Sequence, residues 1–528
     1  MSHKIHPGNP EHGTSREAIW ILILGVVIRL YACQYTEIVN QDGTLYIHQA
    51  RAIYYGQWDK ITPCGTGFLS NYPFLVSGFY GVFQDWIMAT RGVSLVFGSL
   101  MLIPLYLLFR RFFNLRNSAL GTLIFAVMPM FVGHSADSIR DPVYWFFMIL
   151  GIYLFAVHPE KKYSLYILAS SLSFLMAAWA RVEAGLIILL TSGCILIMIP
   201  GKRGIKLILF LSPIVLVTGA SFYAVFSYHL PSLGLNRFAE IFEKITGPFS
   251  QYQDLRVQLK AVAPQFENPA LRFFLPEARN FVWLVALGSL ANRALEAYFY
   301  PLILVFVLGF IGLGRRFRED WRIGYFSVLV AGGIVLLYFH TLHWWMIYNR
   351  FLAVIILPSA VFAGFGLERL MIIFQKHLRI SETTAACLLC GLILIFTLPK
   401  NLQPREEDKQ VFKKIGVQIA HLEGNHQEIS VASSMDTIRW LSFYANLRFK
   451  GAPCPQPYNN FDQIAGKSYP EFIRNLKDRN VKYFLWDEKH WPKDRFDFFQ
   501  PGYIARFKEI GKWYHRDTGK MILFRFHS

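Results

Sequence analysis

Eleven stretches of the chain are almost wholly apolar, and charged residues are concentrated in the gaps between them. They run over 17–36, 91–109, 118–133, 142–157, 163–180, 183–199, 207–228, 298–314, 321–339, 351–370 and 383–399. About 18 or more apolar residues are enough for a helix to cross a bilayer, so the pattern predicts about eleven transmembrane helices. The first stretch does not read as a cleavable signal peptide. Its polar lead-in is long, and no small-x-small site follows the apolar core.

The gaps alternate in charge. One set carries Arg110, Arg111 and Arg116; Lys161 and Lys162; Lys202, Arg203 and Lys206; Arg315, Arg316, Arg318 and Arg322; Lys376 and Arg379. The other set has short loops with single basic residues, Arg140, Arg181 and Arg350. Basic residues in short loops mark the cytoplasmic side. The N-terminus is therefore expected inside and the part after the last span outside. The long segments 37–90, 229–297 and 400–528 then all lie outside, and long loops on a compact bundle usually carry function.

Composition narrows this further. Only 17% of the 528 residues are charged, against about 25% in soluble chains, and the mean hydropathy is +0.32. Disorder, a coiled coil and an ordinary cytosolic enzyme are excluded. The net charge of +18 is spread over many loops as orientation signals, so no nucleic-acid partner is expected. Six cysteines are too few for a disulfide scaffold. Cys387 and Cys390 sit in an apolar span, where a buried thiol pair is the simplest reading. Cys64 and Cys454 both fall outside, where a disulfide is chemically allowed.

From about 400 onward polar residues return. Short β-like runs at 429–433, 481–486 and 521–526 alternate with helix-like stretches near 408–422, 437–446 and 469–479. The fold class expected is a polytopic α-helical membrane protein, residues 1–399, with a small C-terminal α/β extramembrane domain, residues 400–528. That domain has no Gly-rich phosphate loop, and no Cys/His zinc framework occurs in the chain.

Candidate chemistry gathers at the outer ends of the spans. Asp42 opens a segment that reads as a helix over 43–55, containing Tyr46 and His48 and stopped by Gly56; Asp42 also suits the helix cap. A second short apolar helix is expected over 74–88. Arg140 and Asp141 precede Pro142, with Asp141 placed to cap the fourth span. Arg181 and Glu183 fill the next outer loop, and His340, His343 and Arg350 a later one. Ionisable groups at a membrane mouth are costly unless solvated or used. His340 and His343 are three apart, but with no third ligand a plain polar role outweighs metal binding. Phe238, Ile241, Phe242 and Ile245 recur at helical spacing, as in an amphipathic helix lying on a membrane or over a cavity.

The order of these features carries a resemblance. Asp42-Gly-Thr-Leu-Tyr46 follows the first span; Asn71-Tyr-Pro73 comes next; Arg91 opens the second span; Pro129 lies late in the third; Arg140-Asp141, Arg181-Val-Glu183 and Asn349-Arg350 follow. Over roughly 15–375 this resembles the GT-C superfamily of polyprenyl-phosphate-sugar glycosyltransferases. It is most similar to bacterial relatives of protein O-mannosyltransferase and to the lipid A aminoarabinose transferase. One departure stands out. Many relatives have an acidic pair at the first site, whereas Asp42 is followed by Gly43.

The resemblance implies transfer of a sugar from a polyprenyl phosphate to a hydroxyl of a protein, lipid or glycan in the cell envelope. It implies Asp42 as the base that takes the acceptor proton. Arg350, with Arg140 and Arg181 behind it, would hold the departing phosphate, and Asp141 would orient the acceptor or the arginines. Tyr46, His48, Glu183 and His343 are further site candidates. A single base opposite the leaving group implies inversion. No cofactor beyond the lipid-linked sugar is indicated, although a divalent metal is compatible with the chemistry. Two other classes fit the spans and charged mouths: a lipid or sugar transporter or flippase, and a non-catalytic envelope assembly protein. Against the first, no internal repeat is found.

Overall fold

In the computed structural model, the described residues are 16–527 apart from 65–66, 161–162, 200, 229–235, 425–426, 434, 459–460 and 493. The lead-in before the first span and the Lys161–Lys162 pair lie outside them. So do the side chains of Phe238, Ile241, Phe242 and Ile245, although helix Asn236–Val262 runs through that region. The chain divides into two compact units. The first comprises Met1–Tyr31, Ser94–Ser135 and Arg140–Leu402; the second comprises Ala32–Val93, Ala136–Ile139 and Gln403–Ser528.

The first unit is a helical bundle, and the protein is an integral membrane protein. Six helices among the described residues are long and apolar enough to span, and nine do so if each of three sharply bent pairs counts once. Two shorter apolar helices, Asp141–Val157 and Ala184–Ile197, accompany them. Every apolar stretch of the sequence falls on one of these elements, but among the described residues six reach spanning length without a sharp bend. Apolar runs report burial in lipid or protein; they do not report breaks.

The breaks have local causes, and polar side chains repair them. Pro129 forces Met128 into an extended conformation, and Leu115–Val127 meets Pro129–Ser135 at 55°. Carbonyls freed at the bend must find donors in an apolar interior. Arg29, fully buried, donates to Ala126 O at 2.8 Å and to Ser135 Oγ at 3.2 Å. Asn401 Nδ2 donates to Val127 O at 2.7 Å. Two further breaks, Val282–Ala297 with Tyr300–Phe310 (105°) and Asn349–Ile356 with Ala360–Leu378 (74°), are joined by Tyr298 Oη and Ser359 Oγ, 3.0 Å apart. Helices Tyr300–Phe310 and Ala360–Leu378 then pack backbone to backbone. A Cβ at Gly309 would strike the Phe362 carbonyl, and one at Gly366 the Val305 carbonyl.

The second unit combines the segment after the first span with the C-terminal region. Its sheet has the order β1-β2-β4-β3. Here β1 (Val431–Ala432) runs parallel to β2 (Tyr483–Asp487), and β3 (Phe507–His515) forms an antiparallel hairpin with β4 (Gly519–Phe526). Phe472, Phe484, Phe498, Phe507 and Phe524 cluster on one face. Strand β3 was not expected. It reads Phe-Lys-Glu-Ile-Gly-Lys-Trp-Tyr-His, is largely exposed and is bulged between Glu509 and Gly511, so it carries no apolar run. Cys64 and Cys454 form a disulfide with Cα atoms 5.7 Å apart.

Candidate active site

In the second unit the expected helix after the first span is Gln41–Tyr54. Its cap is Asn40, whose side chain accepts from Asp42 N at 3.0 Å. Asp42 is therefore not the cap; it is the second residue of the first turn. Arg439 Nη1 stands 3.8 Å from Asp42 Oδ1, with both side chains part-exposed. Gly43 packs onto the 136–139 segment: a Cβ there would lie 2.6 Å from Ser138 O. No side chain fits at 43 without moving the chain.

Two neighbours on this helix are enclosed. Tyr46 stacks edge-on against Tyr72, centroids 5.5 Å apart. His48 is buried, with Nδ1 3.0 Å from Pro453 O and Nε2 2.8 Å from Lys60 O. Burial, joined by the charges of Arg51 and Lys60, lowers its pKa against the opposing effect of the two carbonyls.

In the first unit four charged side chains meet. Arg181, between Tyr163–Ala180 and Ala184–Ile197, donates from Nη1 to Asp141 Oδ1 at 2.5 Å. Its Nη2 and Nε fork onto Glu183 at 2.9 and 3.2 Å. Asp141 is 1% exposed and begins helix Asp141–Val157; Arg140, not Asp141, occupies the cap position. The carboxylate expected to cap that helix holds Arg181 instead. Burial opposes the charge on Arg181, but Glu183 and Asp141 outweigh it and raise its pKa well above the ordinary arginine value. Arg350 Nη1 is 4.0 Å from Asp141 Oδ2, beyond hydrogen-bond reach of that oxygen. Arg140, next to Asp141, adds positive charge to the same carboxylate.

A chain reversal brings Arg350 to this group. Helix Trp321–Trp344 ends at Trp345 in the left-handed conformation, φ 53°, and Asn349–Leu352 follows as a short 3-10 turn. Phe351 lies under the Arg181 guanidinium, 4.4 Å from ring centroid to Cζ. Beside it opens a cavity lined by Glu183, Leu336, Leu337, His340, His343, Trp344 and Phe351. His343 Nδ1 and Asn349 Oδ1 are buried with no hydrogen-bond partner among the described residues. His343 Nε2 is 3.9 Å from Glu243 Oε1. Among the described residues no three His, Cys, Asp or Glu side chains group closely enough to hold a metal ion.

The first unit thus brings Asp141, Arg181, Glu183 and Arg350 together, with His343 on the adjoining cavity. Asp42, Tyr46 and His48 belong to the second unit. Sequence reasoning did not find Arg439. It lies nearly 400 residues from Asp42 on a helix whose pattern reads as ordinary amphipathic packing, and no local signal marks it.

The arrangement of bent helices with a C-terminal sheet is shared with solved structures of other proteins. The chain is similar to the oligosaccharyltransferase of Archaeoglobus fulgidus tethered with an acceptor peptide containing the NVT sequon, with a TM-score of 0.57 at 11% identity, covering 96% of this chain and 74% of that one. It is also similar to that archaeal oligosaccharyltransferase, AglB, in complex with an inhibitory peptide and a dolichol-phosphate, with a TM-score of 0.53 at 12% identity over 95% and 74%. ArnT from Cupriavidus metallidurans bound to undecaprenyl phosphate matches with a TM-score of 0.52 at 13% identity, over 96% of this chain and 97% of that one. No family model and no curated protein sequence matches the chain.

Proposed function

We propose that the protein is an integral-membrane glycosyltransferase that moves a sugar from a polyprenyl-phosphate donor to an acceptor hydroxyl on the extracytoplasmic face. The observation that carries this reading is the buried Asp141–Arg181–Glu183 cluster with Arg350 at its edge. Arg181 is taken up by two carboxylates. Arg350, in looser contact with Asp141, is the cation suited to a phosphate. The fold is shared with proteins whose structures hold dolichol-phosphate and undecaprenyl phosphate.

In this reading Asp42 accepts the acceptor's hydroxyl proton as the oxygen attacks the anomeric carbon. The new C–O bond forms as the bond to the phosphate oxygen breaks, and the electron pair leaves with the polyprenyl phosphate, whose charge Arg350 meets. One base acting opposite the leaving group inverts the anomeric centre. The cavity beside Phe351 offers aromatic faces to sugar C–H groups, with Glu183, His340 and His343 available to its hydroxyls. The Cys64–Cys454 disulfide supports an oxidising, extracytoplasmic location for the second unit.

The test is product analysis after incubating the purified protein with a panel of polyprenyl-phosphate monosaccharides and candidate acceptors. Consumption of one donor with release of polyprenyl phosphate is expected. In Asp42→Asn it should fall by about 10²–10⁴, the scale of a lost general base. Movement of an intact donor across a vesicle membrane without any chemical change would replace this reading with a transporter.

A further inference from the structure

We infer that Arg439, supplied by the C-terminal part of the second unit, is a positioning residue for the Asp42 carboxylate. The inference rests on the reading of Asp42 as the base. It gives the C-terminal region a share in the chemistry that neither its strands nor its sequence motifs indicate.

Val39, in the segment leading into Asp42, is gripped by helix Met435–Ala445. Trp440 Nε1 donates to Val39 O at 2.8 Å, and Val39 N donates to Tyr444 Oη at 2.9 Å. Trp440 and Tyr444 are four apart and share a helix face, so that face satisfies both backbone groups of Val39. Trp440 is itself fixed by stacking on Phe412, centroids 5.1 Å apart at 17°. Asn40 then holds Asp42 N, and Gly43 rests on Ser138. The backbone carrying Asp42 is thereby set on both sides of the residue.

Arg439 precedes Trp440 on this helix. Its Nε donates to Gln456 Oε1 at 2.6 Å, which anchors the guanidinium and turns an Nη edge toward Asp42. The 3.8 Å separation gives electrostatic attraction without a tight hydrogen bond at that oxygen. A part-exposed ion pair of this kind contributes little to stability, so its effect is to be sought in turnover.

The experiment is a double-mutant cycle on the full-length protein, using the donor and acceptor identified by the panel above. Turnover and apparent acceptor KM are measured for wild type, Asp42→Asn, Arg439→Gln and the double variant, with Arg439→Lys alongside. Arg439→Gln should lower kcat about 10- to 100-fold, the scale of a misplaced reactive group, with little change in KM. In the Asp42→Asn background the same change should cost nothing further, and Arg439→Lys should recover part of the loss. Equal losses in both backgrounds would show a merely structural effect and overturn the inference. So would unchanged kcat in Arg439→Gln beside an impaired Asp42→Asn, an outcome that leaves the general-base reading standing. If Arg439→Gln does not fold, Arg439→Lys decides, since wild-type kcat there with full loss in Gln456→Leu would contradict a role for the anchored guanidinium. Normal turnover in Asp42→Asn, or no turnover of any donor by wild type, removes the underlying reading and the inference with it.

Discussion

Arg181 Nη1 lies 2.5 Å from Asp141 Oδ1, and the same guanidinium forks onto Glu183. One buried cation holds two carboxylates. Removing it strands negative charge in a region where Asp141 is 1% exposed. Arg181→Ala is expected to destabilise the first unit by about 3–5 kcal/mol, the usual cost of breaking a buried pair from one side. Arg181→Lys keeps the charge but loses the planar fork and should recover only part of that. The midpoint of thermal unfolding in detergent, compared across the three proteins, checks this. A wild-type midpoint in Arg181→Ala would mean that the carboxylates are solvated or protonated.

Arg350 should behave differently, because its contact with Asp141 is 4.0 Å and its removal leaves the Arg181 pairings intact. Arg350→Ala is expected to leave stability nearly unchanged. It should weaken polyprenyl-phosphate binding by about 10- to 100-fold, as for a lost charge-assisted hydrogen bond of about 1.5–3 kcal/mol. Binding of undecaprenyl phosphate alone, by calorimetry or ligand-induced thermal shift, measures this without the sugar. Unchanged affinity would move the phosphate site away from Arg350.

Much of the architecture was legible because lipid imposes a simple rule. The apolar stretches and the polar tail reflect which surfaces can face hydrocarbon. The bends at Pro129, Phe299 and Pro358 were not legible as breaks in a span. Their cost is met by distant side chains, Arg29, Asn401 and the Tyr298–Ser359 pair. At the site, the charged residues could be picked out by type, but the cap readings of Asp42 and Asp141 do not match the structure. Asp42 and Asp141 both look like helix caps in sequence, yet Asn40 caps one helix and Arg140 sits at the cap position of the other. The cations paired with those carboxylates, Arg439 and Arg181, come from other elements, and sequence spacing carries no information about such contacts.

His48 supplies a pH dependence. Burial pulls its pKa below the ordinary imidazole value of 6.5, so the unfolded chain binds the proton more readily than the folded one. Stability linked to this group is fully present above about pH 7 and is lost as pH falls through 6.5 toward the folded value. The thermal midpoint should therefore drop on acidification across that window, and the drop should be smaller in His48→Gln. An identical pH profile in the variant would assign the acid sensitivity elsewhere.

The Cys64–Cys454 link closes a loop with a sequence separation of 390 residues, and it joins the segment after the first span to the chain just after Pro453, whose carbonyl faces His48. A native disulfide typically contributes about 2–4 kcal/mol. Reduction, or the double change Cys64→Ser with Cys454→Ser, is expected to lower the thermal midpoint of the second unit. Protease sensitivity near 60–70 should rise with it, read by mass spectrometry of limited digests. Equal digestion patterns with and without reductant would show that the surrounding hydrogen bonds hold the segment unaided.

Gly43 offers the sharpest separation of backbone placement from charge. A Cβ at this position would meet Ser138 O at 2.6 Å and Ser138 Cβ at 2.7 Å, and a backbone carbonyl cannot rotate away as a flexible side chain would. Gly43→Ala adds one methyl group, no charge and a better helix former. Propensity alone would make it stabilising by about 1 kcal/mol. The clash opposes this with a cost of about 1–3 kcal/mol for overpacking, relieved only by moving the start of helix Gln41–Tyr54 and with it Asp42. Gly43→Ala should therefore lower turnover by about 10- to 100-fold while changing the thermal midpoint far less. Gly43→Asp, which writes in the acidic pair seen in many relatives of the family resembled, should be no better than alanine, because the obstacle is the first side-chain carbon and not its charge. Turnover and thermal midpoint measured on both variants decide the matter. If Gly43→Asp matched or exceeded wild type while Gly43→Ala failed, a second carboxylate would be usable at this site, and the steric account of Gly43 would be wrong.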